Sequence, residues 1–187
     1  MPGKHAYVPN MTTLMTAEEL LHTSMPDKIT ELVRGRLVVR EPPGARHGNV
    51  AVMLTVELGN HVKRVGTGRL FGETGFTLFR GPDTVRGPDI AYVRNERLPD
   101  PLPLGFPELA PDLVVEVLSP GDRPGETLAK VADWLEAGAR LVWVIDPARR
   151  VARIYRQDGS ESLLRNAEAL DGEDVLPGFT CRLDAIL

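Results

Sequence analysis

A single cysteine, Cys181, among 187 residues leaves no partner for an internal disulfide, and with no activating neighbour it reads as packing. Long apolar runs are missing too. No stretch reaches the roughly 18 uninterrupted apolar residues that a membrane-spanning helix needs, because Glu116 and Asp146 break the best candidates. Residues 1–11 lack the apolar segment of a signal peptide, so cytoplasmic residence is the expectation. Lysine is scarce, four residues against eighteen arginines, and the net charge is −4. That balance disfavours broad attraction to polyanions but leaves room for a local basic groove. Arg34, Arg36, Arg40 and Arg46 cluster loosely, as do Lys63, Arg64 and Arg69, and each group reads as a solvated face. With only two Trp and three Tyr, no stacking platform for a sugar is evident.

What is present fits an ordinary globular chain, 42% hydrophobic and 26% charged, of a length suited to one domain and without internal repeats. An N-terminal clasp over 1–28, a core over about 29–170 and a turn-rich tail over 171–187 are expected. Thr16 and Glu19 have capping-box spacing and start a short helix that stops before Pro26. Ile29 to Val39 reads as a hairpin turning at Gly35, with Glu31 on its first strand. Val50, Leu54, Leu58 and Val62 recur every four residues and predict a long helix over His47 to Val65. Strands follow over Leu70 to Phe79, Asp89 to Arg94 and Leu113 to Leu118, with a proline-rich loop from Leu98 to Pro111 expected at the site mouth. Pro124 begins a second helix that ends at Gly138, with Leu128, Val131, Ala132 and Leu135 as its core face. Leu141 to Ile145 and Val151 to Tyr155 read as a strand pair, stopped between them by Asp146-Pro147, a turn rather than a ligand. The order predicts a mixed α/β (α+β) architecture, a sheet flanked by helices.

Glu116 stands alone in the apolar run Leu113 to Leu118. Burying a carboxylate costs several kcal/mol unless something positive compensates it, so a metal ion or a paired cation is required. Strand alternation puts Glu116 on one face with Val114 and Leu118, and Leu113, Val115 and Val117 on the other. Asp89, after the turn signal Gly87-Pro88, opens a neighbouring strand, so both acids can share one site. Such a pair can hold Mg²⁺, which activates water and neutralises phosphoryl charge during phosphodiester hydrolysis. An ion pair between Glu116 and an arginine explains the same residue without chemistry. Asp112, four residues before Glu116 on the same strand face, is the rival acid.

A Pro-Asp on one strand followed by an acid within an apolar next strand resembles the PD-(D/E)XK, restriction-endonuclease-like nuclease superfamily. Gly35-Arg36-Leu37-Val38, His47, Pro88 to Val93, Ala110 to Pro120, Lys130 and Val142 to Pro147 are similar to its Uma-two branch, over roughly residues 15 to 185. Pro-Asp occurs five times in this chain, so strand context selects Asp89. The resemblance implies a mixed central sheet with helices on both faces, Mg²⁺ (or Mn²⁺ in its place) on Asp89 and Glu116, a DNA or RNA substrate and a homodimer. Position 118, where the superfamily pattern has Lys, is Leu, and the resemblance nominates Lys130 on the following helix instead. The helical wheel disagrees, placing Lys130 about 150° from the expected core face. An exposed pair with Glu126 is the plain alternative. Glu31 matches an acidic hairpin position and could be a third metal ligand or an exposed strand residue. His47 could touch phosphate or an acid behind the metal, or simply cap the helix. Two further readings stay open: a noncatalytic binding or assembly module, and an acid–base hydrolase of a small substrate using Glu116 with Asp112 or Asp89.

Overall fold

The Thr16 hydroxyl accepts from the Glu19 N–H while the Glu19 carboxylate accepts from the Thr16 N–H, so the expected capping box starts α1 (Ala17–His22). The computed structural model describes residues 14–23 and 25–187. The signal-peptide expectation for residues 1–11 and the first part of the clasp lie outside them. Ala17 and Leu20 bury their side chains with Leu32 and Val85, which docks α1 on a small sheet. Its first two strands, β1 (Ile29–Val33) and β2 (Arg36–Arg40), form the expected hairpin. Arg34 and Gly35, at φ 49° and 73°, supply the left-handed pair that a two-residue hairpin turn needs.

α2 (Ala45–Val65) buries the expected stripe of Val50, Leu54, Leu58 and Val62. The stretch from Leu70 to Phe79, expected as one strand, is two: β3 (Gly68–Gly72) and β4 (Phe76–Phe79) lie in different sheets. Between them Glu73 turns to φ 47°, and a Cβ on Gly75 would sit 2.6 Å from the Phe106 ring, so the chain bends where only glycine fits. β4 and β5 (Thr84–Arg86) complete the small antiparallel sheet in the order β2-β1-β5-β4.

The chain then crosses through Gly87-Pro88-Asp89 into a six-stranded sheet. β6 (Ile90–Arg94), β7 (Leu113–Val117), β8 (Leu141–Asp146), β9 (Val151–Arg156) and β10 (Glu161–Arg165) join β3 in the order β10-β9-β8-β7-β6-β3. Only β7 and β8 are parallel, and α3 (Pro124–Glu136) makes the crossover between them. β11 (Ala169–Asp171) and β12 (Thr180–Arg182) form a hairpin of their own in the tail. α2 and the tail cover one sheet face through Leu113, Val115, Trp143 and Phe179. α3 covers the other through Val131, Trp134, Val114 and Val142. This is the expected mixed sheet with helices on both faces. Cys181 is buried in the α2-side core, as packing requires. Among the described residues no helix is long and apolar enough to cross a membrane.

The proline-rich loop lies elsewhere than expected. β6 and β7 are antiparallel with Ile90 opposite Val115, so Asp89 and Glu116 share one end of the pair while the loop joins the other. There Pro107 accepts from the Thr77 N–H and Phe106 packs on the α1 cluster.

Candidate active site

The two sheets meet at the Gly87-Pro88-Asp89 crossing, and the acids of both converge there. Strand alternation puts Glu116 on the α3 side, as its period of two dictates, and leaves it only 8% exposed. Its Oε1 accepts from Trp134 Nε1 at 2.9 Å and its Oε2 from Lys130 Nζ at 2.8 Å. The cation is therefore a lysine, not the arginine expected for a purely structural pair. Lys130 also donates to Gly87 O at 2.8 Å and lies 3.0 Å from Glu31 Oε1. Glu31 is buried rather than exposed. Its Oε2 accepts from Arg86 Nη1 at 2.9 Å and its Oε1 from the Gly87 N–H at 3.1 Å. Arg86 continues to Asp133 on α3 with bonds of 2.9 and 2.5 Å.

Lys130 corrects the helical wheel. α3 buries Lys130, Val131 and Trp134, while Leu128 is 53% exposed and Ala132 also faces solvent. Averaging hydrophobicity around the helix missed two things: the largest side chain, Trp134, sets the buried arc, and carboxylates on the sheet make a buried ammonium tolerable there. Glu126 is 3.3 Å from Arg123 instead of pairing with Lys130.

Asp89 is reached from the opposite face of the sheet. Gly44, not His47, is the N-cap of α2. His47, in the first turn, approaches Asp89 Oδ1 with its Nε2 at 3.0 Å, and its Nδ1 lies 3.2 Å from Ser119 Oγ. The Val117 N–H donates to Asp89 Oδ2 at 2.6 Å, which fixes the carboxylate against β7. Asp112 takes no part. It sits before β7, roughly 13 Å along the strand from Glu116, and holds Arg97 at 2.8 Å and the Arg94 N–H at 2.9 Å. Asp146 caps its turn by accepting from the Ala148 and Arg149 N–H groups. Arg86, Ser119 and Trp134 were not singled out from the sequence. The i+4 spacing of Trp134 from Lys130 was the available signal.

The charges in this seam decide its titration. Burial pushes Glu116 up; Lys130 opposes this, but the negative charges of Asp89 and Glu31 add to it, and the carboxyl reaches about 7. Burial also disfavours charged Lys130, yet Glu116 and Glu31 outweigh it and the ammonium is held above its ordinary value. For Glu31 burial acts upward, and the positive charges of Lys130 and Arg86 win, holding it below the usual range. His47 is depressed by burial and raised further by its bond to Asp89, ending above its ordinary value.

A stability dependence on pH follows. Glu116 titrates near 4.5 unfolded and about 7 folded, so its favourable contribution is complete below pH 4.5 and lost as pH rises through 7. His47, also raised, acts in the same direction. Unfolding by urea between pH 5 and 8 should show the metal-free protein losing stability on the order of 2 kcal/mol as pH rises. Glu116→Gln should flatten most of that slope, and an unchanged slope would assign it elsewhere.

The family model Uma2, described as a putative restriction endonuclease, matches residues 17–184. No curated protein matches the chain. Among solved structures, one described as a putative nuclease belonging to DUF820 from Anabaena variabilis superposes with a TM-score of 0.81 at 19% sequence identity. The match covers 92% of this chain and 97% of that one. At that identity the likeness establishes a shared fold.

Proposed function

The chain belongs to the Uma2 family, described as putative restriction endonucleases, and on that premise we propose that it is a metal-dependent endonuclease cutting DNA phosphodiester bonds at the seam of its two sheets. The observation that carries this reading is the pairing of Glu116 with Lys130 at 2.8 Å, although position 118 carries no lysine, with Asp89 bonded to the Val117 N–H next along the strand from Glu116. Nothing in the helix periodicity favours burying that lysine. Its burial is explained by the carboxylates it serves.

The donor set suits Mg²⁺, with Mn²⁺ as a substitute. Carboxylate oxygens are hard ligands, and burial, with Asp89 and Glu31 adding to it, pushes the Glu116 carboxyl up, an unfavourable state of the carboxylate that a divalent cation would relieve. Asp89 and Glu116 would hold the ion, which supplies water activation and charge neutralisation at the phosphoryl oxygens. Glu31, with both oxygens taken by Arg86, Gly87 and Lys130, orients Lys130 from behind. Trp134 fixes the plane of the Glu116 carboxylate, and His47 with the Val117 N–H fixes that of Asp89. Lys130, placed by Gly87 O and the two glutamates, presents positive charge beside the metal ligands, where it stabilises a developing phosphoryl charge. A homodimer would set two such seams on the two strands of a duplex.

One observation favours a noncatalytic binding module. Among the described residues no group of three or more His, Cys, Asp or Glu is arranged to hold a metal ion, and each site acid already has protein partners. Calorimetric titration of Mg²⁺ and Mn²⁺ into wild type and Asp89→Asn, with plasmid nicking in the same samples, separates the two readings. The nuclease reading expects binding and nicking in wild type and a loss of at least about 100-fold in nicking in the variant. Folded wild type that neither binds ions nor nicks DNA would leave the module.

A further inference from the structure

Arg40 ends β2 and reaches across the seam between the sheets. It lines a shallow, open cleft together with Glu116, Leu118, Asp122, Thr127 and Lys130. Arg40 and Lys130 are the two cations of that lining, and they are held very differently. Lys130 directs its ammonium at Gly87 O, Glu116 and Glu31, which accounts for its three N–H donors. Arg40 has five N–H donors and, among the described residues, no hydrogen bond through its Nε. That atom is buried and 3.8 Å from Glu31 Oε2, an oxygen already taken by Arg86. Its Nη1 stands 3.5 Å from Asp122 Oδ1, an ion-pair distance rather than a hydrogen bond. Asp122 has its own bond elsewhere, accepting from the Ser119 N–H at 2.7 Å through Oδ2. The Arg40 side chain is 32% exposed. The buried Nε is out of a ligand's reach, but the Nη edge at the cleft wall, on a side chain a third exposed and held, among the described residues, only by the 3.5 Å pair with Asp122, is available for a ligand with paired anionic oxygens.

We propose that Arg40 is a phosphate-binding residue of this cleft, held loosely by Asp122 in the free protein and exchanging that carboxylate for a phosphate of the DNA backbone. The assignment rests on the nuclease reading and deepens it: the phosphates run past the β2 wall, opposite α3. Asp122 is then a competitor for Arg40, so removing its charge strengthens substrate binding.

Duplex binding in Ca²⁺, which occupies oxygen-ligand sites, is measured over a KCl series, alongside steady-state nicking in Mg²⁺. Arg40→Ala should weaken binding about 10-fold and reduce the slope of log affinity against log salt by about 1. KM for plasmid should rise more than kcat falls. Arg40→Gln, which keeps the side-chain stem, should behave alike and covers the case in which the alanine variant does not fold. Arg40→Lys should retain the slope and only part of the affinity. Asp122→Asn, whose amide oxygen can still accept from the Ser119 N–H, should bind several-fold more tightly. A purely structural Arg40 predicts weaker binding for both Arg40→Ala and Asp122→Asn, with no change in salt slope. Wild type that binds and nicks, with folded Arg40→Ala and Arg40→Gln of unchanged slope and KM, overturns the Arg40 assignment alone. Wild type that neither binds duplex nor nicks overturns the nuclease reading and the assignment with it.

Discussion

Lys130→Ala should destabilise the protein by about 3–5 kcal/mol and reduce nicking to background, because it removes the ammonium shared by two buried carboxylates. Glu116 would keep only the Trp134 N–H, and Glu31 would keep Arg86 and the Gly87 N–H. The cost should depend on pH in a way ordinary packing loss does not. At pH 5 Glu116, with its carboxyl raised to about 7 in wild type, is already neutral and needs the ammonium little. At pH 8 the wild-type carboxylate is charged and leans on Lys130, and without it the variant must either bury an unpaired charge or hold a proton. Urea unfolding of wild type and variant at the two pH values should therefore show the larger difference at pH 8. Lys130→Arg should recover part of the stability and little of the nicking. A guanidinium cannot place three donors around one atom, as the contacts to Gly87, Glu116 and Glu31 require. Nicking at the wild-type rate by Lys130→Ala would remove Lys130 from the mechanism.

Glu116→Gln should separate what Lys130→Ala loses together. The amide has nearly the carboxylate's shape and can still accept from Lys130 or Trp134, while Glu31 remains to balance the ammonium. Its charge no longer faces Asp89 and Glu31, so stability at pH 8 should match or exceed that of wild type. Nicking should fall by at least about 100-fold and Mg²⁺ binding should weaken, since one of two hard anionic ligands is gone. Stability kept or gained while activity disappears is the signature of a site held in an unfavourable electrostatic state for function. Thermal melts with ion titration and nicking in the same preparations check it. A strongly destabilised Glu116→Gln at pH 8 would instead make this acid a structural anchor.

The features legible in the sequence were those that depend on neighbours along the chain. The capping box at Thr16 and Glu19, the turn at Arg34-Gly35 and the stripe along α2 each follow from local spacing and appear as expected. The resemblance nominated Lys130 for the site although the wheel turned it away. The single strand expected from Leu70 to Phe79 is instead two strands in different sheets, turning at Glu73 and passing Phe106, over thirty residues further on, at a point that leaves no room for a side chain on Gly75. The proline-rich loop was misplaced for a related reason. Two strands of unknown mutual direction do not say which of their ends a loop joins.

Glu116 was determined by the sequence alone in two respects. A lone acid in an apolar run must be compensated, and a period of two commits it to the same face as Val114 whatever that face meets. The identity of the compensating group belonged to the tertiary structure. Which arc of α3 is buried depends on what the sheet beneath presents, and here it presents Glu116 and, across the seam, Glu31. A lysine on the polar side of the helical wheel is thereby drawn inward, because two buried carboxylates outweigh the desolvation of one ammonium. The joining of two sheets at Gly87-Pro88-Asp89 brings Glu31, Asp89, Glu116 and Lys130 together, and no spacing along the chain encodes that meeting.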